Sequence, residues 1–134
     1  MATKEFYLSG SCKWAKVLPD NGDDKFERWT IDLYMDDKSW KKFNDSQLTL
    51  KVREDDDGEF VKFARRFTDW EGNKVDAPEI HGAEGEIGNG SDVTIKVEVF
   101  DTKNGKGHRL LAVRVDNLVE YDSREVDEDI DVPF

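Results

Sequence analysis

The sequence predicts a small all-β domain: an antiparallel barrel of five strands with one short helix. Three observations lead to this prediction. Short runs alternate between apolar and polar residues, which is the pattern of half-buried strands. Breaks rich in glycine and aspartate separate these runs and supply the turns between them. The chain has 134 residues, enough for one domain with a modest core and too few for two.

The N-terminal part is predicted to hold two strands. Residues 5–18 (EFYLSGSCKWAKVL) are rich in strand formers, and Gly10 in their middle indicates a bulge or a sharp bend. Residues 19–24 (PDNGDD) have the composition of a turn. Residues 28–35 (RWTIDLYM) alternate between apolar and polar side chains, so this second strand is expected to be half-buried.

The middle of the chain is predicted to form a short helix and then a hairpin. Residues 36–45 (DDKSWKKFND) lose the period of two, and their early aspartates suit the start of a helix. Residues 46–54 and 59–68 alternate again on either side of the turn DDDG, residues 55–58. Four aromatic side chains of this half of the chain are assigned mainly to the core: Phe6, Tyr34, Trp40 and Phe43.

The second half is predicted to hold a long connection and two strands. Residues 69–91 contain five glycines and few apolar residues, and loops of this length are usually functional or mobile. Residues 92–100 and 108–121 alternate as strands on either side of a glycine-rich turn. Five strands, a bent first strand and a helix between strands fit an OB-fold best. Periodicity alone leaves an SH3-like barrel or a small sandwich open.

The charge balance is acidic. The chain holds 20 Lys and Arg against 31 Asp and Glu, for a net charge of −11. Residues 122–134 contribute −5 from six acids and one base, and residues 1–121 contribute −6 from 25 acids and 19 bases. Because phosphate binding relies on basic charge, any site for a polyanion on this body must be a local groove.

The sequence lacks the signatures of enzymes and metal sites. It has no Walker loop, no GxSxG motif and no paired histidines. The acid clusters at 20–24 and 54–59 lack the spacing of an EF-hand, and Cys12 has no CxxC partner for zinc. His81 and His108 lie in or beside predicted turns and are expected to be solvated. We therefore predict a protein that is not an enzyme and uses no cofactor and no metal.

A membrane partner is not expected either. No apolar run reaches the roughly 18 residues that a spanning helix needs. The N-terminus MATKEFYLSG lacks the apolar core of a signal peptide, so we expect a cytoplasmic protein.

Aromatic residues interleaved with bases are the strongest functional signal. In residues 60–67 (FVKFARRF) each face of the predicted strand carries at least one phenylalanine and at least one basic residue. A core face should not include an arginine, and a solvated face has little use for a phenylalanine. Rings beside phosphate-neutralising cations are what sequence-independent binding of a single strand requires, since each stacked base contributes about 1–3 kcal/mol. Which face would contact the strand stays open.

The same pattern recurs on neighbouring segments. Residues 13–16 (KWAK) repeat it on the first strand, and Trp70 follows shortly after the 60–67 strand. Lys51 and Arg53 share one face of the strand that pairs with 60–67. The predicted DNA-binding residues are Lys13, Trp14, Lys16, Lys51, Arg53, Phe60, Lys62, Arg65, Arg66, Phe67 and Trp70.

Residues 122–134 combine acids with an apolar tip. High charge and few apolar groups predict a disordered acidic tail that follows a folded domain of residues 1–121. A tail that serves only solubility would end in acids, whereas this one ends in Val-Pro-Phe. A pocket with a basic rim could hold the ring and the terminal carboxylate. The predicted partner-docking residues are Asp129, Asp131, Val132, Pro133 and Phe134.

A family resemblance follows from these segments. Residues 129–134 (DIDVPF) look like the acidic, Pro-Phe-ending C-terminus of bacterial single-stranded DNA-binding proteins. The body resembles the phage-encoded OB-fold single-stranded DNA-binding proteins of viral replication. The matching segments are 60–68 (FVKFARRFT), 87–100 (IGNGSDVTIKVEVF) and 110–121 (LLAVRVDNLVEY).

This resemblance implies an OB-fold that coats single-stranded DNA in the host cytoplasm, without sequence preference, during phage replication, recombination or repair. It implies that the tail recruits replication or recombination proteins, for example a polymerase or a helicase. It also implies that rings and bases on the barrel face bind DNA, here Phe60, Lys62, Arg65, Arg66 and Phe67.

Two questions stay open at this point. The protein is expected to be a monomer or a homodimer, and the sequence does not decide between them. The acidic charge also leaves a second interpretation, an acidic protein-interaction module or DNA-mimic inhibitor that does not bind nucleic acid.

Overall fold

Seven strands and one helix make up the part of the chain that the structure describes. This structure is a computed structural model, and it describes residues 3–19, 21–69, 71–103 and 105–119. In chain order the elements are β1 (Thr3–Lys16), β2 (Arg28–Met35), α1 (Asp37–Asp45), β3 (Val52–Asp55), β4 (Gly58–Arg66), β5 (Glu79–His81), β6 (Asp92–Thr102) and β7 (Gly105–Asn117). The prediction of a mostly β protein with one short helix is confirmed.

The strands form one sheet in the order β3-β4-β2-β1-β6-β7-β5. Neighbouring strands are antiparallel, except that β5 runs parallel to β7. The long strand β1 lies at the centre of the sheet and pairs with two neighbouring strands. Its residues from Thr3 to Ser11 pair with β6, and its residues from Gly10 to Lys16 pair with β2.

One face of this sheet forms the core, because the long strands place every second side chain there. Twelve side chains are almost completely buried: Leu8, Cys12, Val17, Ile31, Leu33, Val61, Phe63, Val93, Ile95, Val97, Leu110 and Val113. Full burial of one large apolar side chain contributes about 1.5–3 kcal/mol relative to exposure. Cys12 belongs to this core, and its burial, with the nearby charge of Asp92, raises the pKa of its thiol to about 11.

The glycine inside β1 is required by a close approach of β2. A Cβ atom at Gly10 would collide with the carbonyl oxygen of Tyr34. Further along β1 the register with β2 shifts between Lys13 and Lys16, and Trp14 in this bulge has a φ of 51°. The irregularity that the glycine predicted therefore occurs in β1, a few residues beyond the glycine itself.

Helix α1 follows β2 directly, as predicted. The Asp36 side chain caps it by accepting from the Ser39 N–H at 2.8 Å. The buried Phe43 packs edge-on against Phe63, with ring centroids 6.1 Å apart. The half-buried Trp40 packs against Phe43 in the same way. The helix therefore contributes its aromatic side to the core of the sheet.

The predicted closed barrel of five strands is wrong in its strand count and in its closure. The strand β5 lies within the connection of residues 69–91, and at three residues it is too short for a period of two to reveal it. No backbone ladder joins the edges of the sheet within the described residues. β3 pairs with β4 only as far as Val61, so the Ala64 N–H beyond this point bonds to a side chain of β7, the His108 Nε2, at 3.0 Å.

The turn of residues 88–91 (GNGS) holds the end of β7 beside β1. The buried Ser91 hydroxyl accepts from the Val119 N–H at 2.7 Å. On the other side of the turn, the Gly90 N–H donates to the Cys12 carbonyl at 2.7 Å. Gly90 has a φ of 90°, a conformation that glycine adopts without strain. The last described residues of the chain are therefore fixed against the middle of the sheet.

The predicted tail of residues 122–134, and with it the boundary after residue 121, lies outside the described residues. Among the residues that the structure describes, no helix is long and apolar enough to cross a membrane.

Candidate nucleic-acid interface

The outer face of β1, β2, β4 and β3 presents rings and cations side by side. Tyr34 of β2 and Phe60 of β4 stack with ring centroids 5.0 Å apart. Arg53 of β3 lies directly opposite Phe60 in the register. The next cross-strand row carries a lysine on β1 and another on β4. We call this surface the aromatic face, and it consists of Lys13, Tyr34, Arg53, Phe60 and Lys62.

Both lysines of the aromatic face are paired with carboxylates. The Lys62 Nζ is 3.3 Å from Asp32 Oδ1, an ion pair without the geometry of a hydrogen bond. The Lys13 Nζ is 3.5 Å from Asp55 Oδ2 and forms a closer ion pair with Asp57. The hydrogen bond to Asp57 is the main cause that raises the pKa of Lys13. A phosphate that reaches this face must therefore compete with carboxylates already in place.

Tyr34 lies between the same groups. Its hydroxyl donates to Asp55 Oδ2, and the Lys13 Nζ is 5.3 Å from the centroid of its ring. Burial, together with the hydrogen bond to Asp55, raises the pKa of Tyr34 to about 12. The same hydrogen bond lowers the pKa of Asp55. At neutral pH the hydroxyl is therefore a donor, which could serve a phosphate oxygen in place of Asp55.

Trp14 presents the most exposed ring of the described residues. Its side chain is 60% exposed. The bulge in β1 sets its backbone, and its N–H donates to Asn89 Oδ1 at 2.8 Å. Trp14 follows Lys13 of the aromatic face directly in sequence. Lys16, two residues further, is also exposed and lies opposite Thr30.

A groove of about 910 Å³ adjoins the end of β4. Four arginines and two aromatic rings line it, and we call it the arginine groove: Phe26, Arg28, Arg65, Arg66, Phe100 and Arg109. Three acids also line it: Glu5, Asp69 and Glu98. The local balance is thus about neutral, in contrast to the net charge of the whole chain, −11.

Two of the arginines lie over the two rings. The Arg28 guanidinium is 5.4 Å from the centroid of Phe26, and the Arg109 guanidinium is 5.0 Å from the centroid of Phe100. Phe26 is itself 59% exposed. Each pair offers a flat ring and a cation at one place, which suits a base and its phosphate.

Arg65 brings a desolvated charge into the groove. Its Nε donates to the Asp76 carbonyl at 2.7 Å. Burial, and then the nearby charge of Arg109, lower the pKa of Arg65. Within the described residues, Arg65 Nη1 and Arg28 Nε are buried without a hydrogen-bond partner. A buried donor without an acceptor costs free energy, so the two guanidinium groups are not fully satisfied within the folded chain.

Strand β4 connects the arginine groove to the aromatic face. The outward side chains of this strand run from Phe60 through Lys62 and Ala64 to Arg66. At about 3.3 Å per residue, six residues of strand span about 20 Å. The two surfaces therefore form one continuous path on the outer side of the sheet.

His108 sets the position of β7 at the edge of the groove. Its half-buried ring packs edge-on against Phe63 with centroids 5.8 Å apart, and its Nε2 accepts from the Ala64 N–H. Burial, followed by the charge of Arg28, lowers the pKa of His108 to about 4. A protonated ring could not accept this bond. The sequence-based expectation of a solvated histidine in a turn is therefore wrong, because residue 108 lies within β7 and faces β4.

This arrangement predicts a pH dependence of stability. The folded chain holds the pKa of His108 near 4, below its ordinary value of 6.5. The stabilisation is therefore complete above pH 6.5 and is lost as the pH falls toward 4. Between pH 7 and pH 4, we expect the wild type to lose about 2–3 kcal/mol of unfolding free energy relative to His108→Gln, which keeps an acceptor and does not titrate. Urea unfolding at a series of pH values measures the difference, and parallel curves for the two proteins would contradict it.

Six predicted DNA-binding residues lie along the path: Lys13, Arg53, Phe60 and Lys62 on the aromatic face, and Arg65 and Arg66 at the arginine groove. Trp14, Lys16 and Lys51 are also exposed, and each lies within three residues of a member of the aromatic face in sequence. The role of these residues in binding stays a prediction.

Other predicted residues fall elsewhere. Phe67 is half-buried, and Trp29 covers its ring with centroids 4.6 Å apart. It therefore packs within the protein more than it offers a free ring. Trp70 lies outside the described residues, and so do the predicted partner-docking residues Asp129, Asp131, Val132, Pro133 and Phe134.

Sequence reasoning missed several residues of the path. Tyr34 was expected in the core but lies on the outer face, as its place on the polar side of the alternating β2 could have indicated. Phe100 likewise falls on the outer face of β6. The sequence around Phe26 and Arg109 does not predict a binding site, because only the folded sheet brings their segments together.

The fold and the path together define a class of protein: small and mostly β, with exposed rings beside a groove of arginines. Such surfaces are typical of proteins that bind single-stranded nucleic acids without reading their sequence. Among the described residues, no group of three or more His, Cys, Asp or Glu side chains could hold a metal ion.

Comparison with known proteins identifies a solved structure with a similar fold. No protein-family model matches the sequence, and no curated protein matches it. The structure is similar to the crystal structure of gp2.5, a single-stranded DNA-binding protein encoded by bacteriophage T7. The TM-score is 0.62, the match covers 99% of this chain and 100% of that chain, and 16% of the residues are identical. At this identity the likeness shows a shared fold.

Proposed function

We propose that this chain is a sequence-independent single-stranded DNA-binding protein that acts in phage DNA replication, recombination or repair. It is not an enzyme, and its C-terminal residues recruit partner proteins. The observation that carries the proposal is the convergence of four arginines and two rings in one groove that continues along β4. The shared fold with a phage protein of this kind supports it.

The path explains how such binding would work. Exposed rings at Trp14 and Phe26 stack with bases, and stacking tolerates every base because each has a π-face. The cations between them, Lys62 and Arg66 on β4, follow the phosphates. Neither contact reads the edge of a base, so binding is independent of sequence.

A titration of fluorescent oligo-dT at low salt tests the proposal directly. We expect saturable binding that weakens as salt rises, since phosphate contacts release counterions. If neither the full chain nor the chain without residues 122–134 binds, the proposal is wrong. In that case the acidic total of −11 favours the second candidate, a protein-interaction module or DNA mimic that binds a basic partner.

Deleting residues 122–134 should raise the affinity for oligo-dT. The deletion removes a charge of −5, which competes with DNA for the cations of the path. We expect about a tenfold gain at low salt that disappears near 1 M salt, where the Debye length is only about 3 Å. Removing Pro133 and Phe134 alone is the matched control, because the charged side chains remain. A full-length protein that binds as tightly as the deletion would rule out this competition.

A further inference from the structure

The tip of the β3–β4 hairpin concentrates negative charge. Residues 54–59, which we call the acidic hairpin, contain five carboxylates, and all five side chains are exposed: Glu54, Asp55, Asp56, Asp57 and Glu59. Glu54 lies directly opposite Glu59 in the register. Like charges in this position destabilise a strand pair. The pairing of the two strands therefore does not account for the charges of Glu54 and Glu59.

The acidic hairpin contacts the aromatic face. Asp55 and Asp57 form the ion pairs with Lys13, and Asp55 accepts the hydroxyl of Tyr34. These are the donors that a phosphate on this face would use. The carboxylates of the hairpin therefore occupy the place of a phosphate, while Trp14, next to Lys13 in sequence, keeps an exposed ring.

Carboxylates also form ion pairs with basic side chains along the rest of the path. Lys62 is paired with Asp32, and Arg109 is paired with Glu98. In contrast, the rings of Trp14 and Phe26 remain 60% and 59% exposed. Carboxylates thus offset much of the attraction for phosphate, whereas more than half of each ring stays exposed, even with the Arg28 guanidinium over Phe26.

We propose that the acidic hairpin makes this interface selective for nucleic acid with unpaired bases. It competes with phosphate for Lys13 and Tyr34, so a ligand that offers only charge binds weakly. A single strand binds because its bases also stack on the rings. This inference rests on the proposed function and adds to it the class of ligand that is rejected: duplex DNA and other polyanions without accessible bases.

The charge density of the ligands explains the discrimination. Duplex DNA carries one negative charge per about 1.7 Å of its axis, and each of its strands carries one per about 3.4 Å. A duplex is therefore repelled more strongly by the acidic hairpin. Its bases are stacked on one another, so they cannot compensate by stacking on Trp14 or Phe26.

The triple variant Asp55→Asn, Asp56→Asn, Asp57→Asn tests the proposal. Asparagine at 55 keeps a side-chain oxygen for the Asp57 N–H bond of the turn, which is 2.9 Å long. Dissociation constants are measured for oligo-dT, for a blunt duplex of equal length and for heparin. We expect at least about a tenfold gain for the duplex and heparin but less than about threefold for oligo-dT, because like-charge repulsion is relieved and stacking is unchanged.

A matched control separates the position of the charge from its amount. Asp37→Asn, Glu84→Gln, Glu86→Gln removes three exposed acids outside the hairpin and changes the net charge equally. The proposal is overturned if this control gains duplex affinity as the hairpin variant does, if the hairpin variant gains equally for all three ligands, or if it gains for none.

Two further measurements keep the test decisive. Thermal unfolding checks that the triple variant is folded, and the single variant Asp57→Asn replaces it if it is not. The single variant should shift the ratio of duplex to single-strand affinity in the same direction, and an unchanged ratio overturns the proposal. Failure of the wild type to bind oligo-dT would instead refute the proposed function, so the two failures are distinguishable.

Discussion

Replacing Trp14 and Phe26 with alanine should weaken the binding of oligo-dT by roughly 700-fold. They are the two most exposed rings of the described residues; Phe26 lines the arginine groove, and Trp14 follows Lys13 of the aromatic face in sequence. Each stacked base contributes about 1–3 kcal/mol, so the loss of two rings costs about 4 kcal/mol. One factor of ten in affinity corresponds to about 1.4 kcal/mol. A fluorescence titration at constant salt measures the change.

The ring of Tyr7 provides the control for this prediction. It is 54% exposed and lies on the outer face of β1 opposite Lys96, where it lines a separate pocket that shares only Arg65 with the six residues of the arginine groove. Tyr7→Ala should change the affinity by less than about twofold. If Tyr7→Ala weakens binding as much as the double variant does, DNA follows a different route across the sheet.

Replacing Arg65 and Arg66 with glutamine should weaken oligo-dT binding by about a hundredfold. Each charge-assisted hydrogen bond to a phosphate contributes about 1.5–3 kcal/mol, so two contacts account for about 3 kcal/mol. The salt dependence distinguishes this loss from a general one. For single strands, the slope of log K against log salt is about −0.7 per phosphate contact, so its magnitude should fall by about 1.4.

The double variant Lys38→Gln, Lys41→Gln makes the same change in net charge on exposed positions of α1. It should leave the slope unchanged, because the helix lies apart from the path. Equal slopes for the arginine variant and the wild type would show that Arg65 and Arg66 do not contact phosphates, whatever their effect on affinity.

The elements with a strong period were predictable from the sequence. The alternation in β2, β4, β6 and β7, and its loss before Trp40, follow from which side chains must be buried, and this is a local property. The strand Glu79–His81 was not predictable, because three residues carry no period and it depends on β7 as a partner. The contact between β4 and β7 was hidden as well, because Ala64 and His108 are 44 residues apart in sequence.

The candidate site was predictable only in part, for a similar reason. The bases and rings of residues 60–67 are adjacent in sequence, so their combination was visible. Phe26, Phe100 and Arg109 come from three separate segments, and only the folded sheet brings them to one groove. The pairing of Lys13 with Asp57 was likewise hidden, since 44 residues separate them.

The GNGS turn joins two parts of the sheet that are distant in sequence. Its Ser91 hydroxyl accepts from the Val119 N–H at the end of β7, and its Asn89 side chain accepts from the Trp14 N–H in the bulge of β1. One four-residue turn therefore sets both the end of β7 and the backbone that carries the most exposed ring of the described residues. A substitution in this turn is thus expected to disturb both places at once.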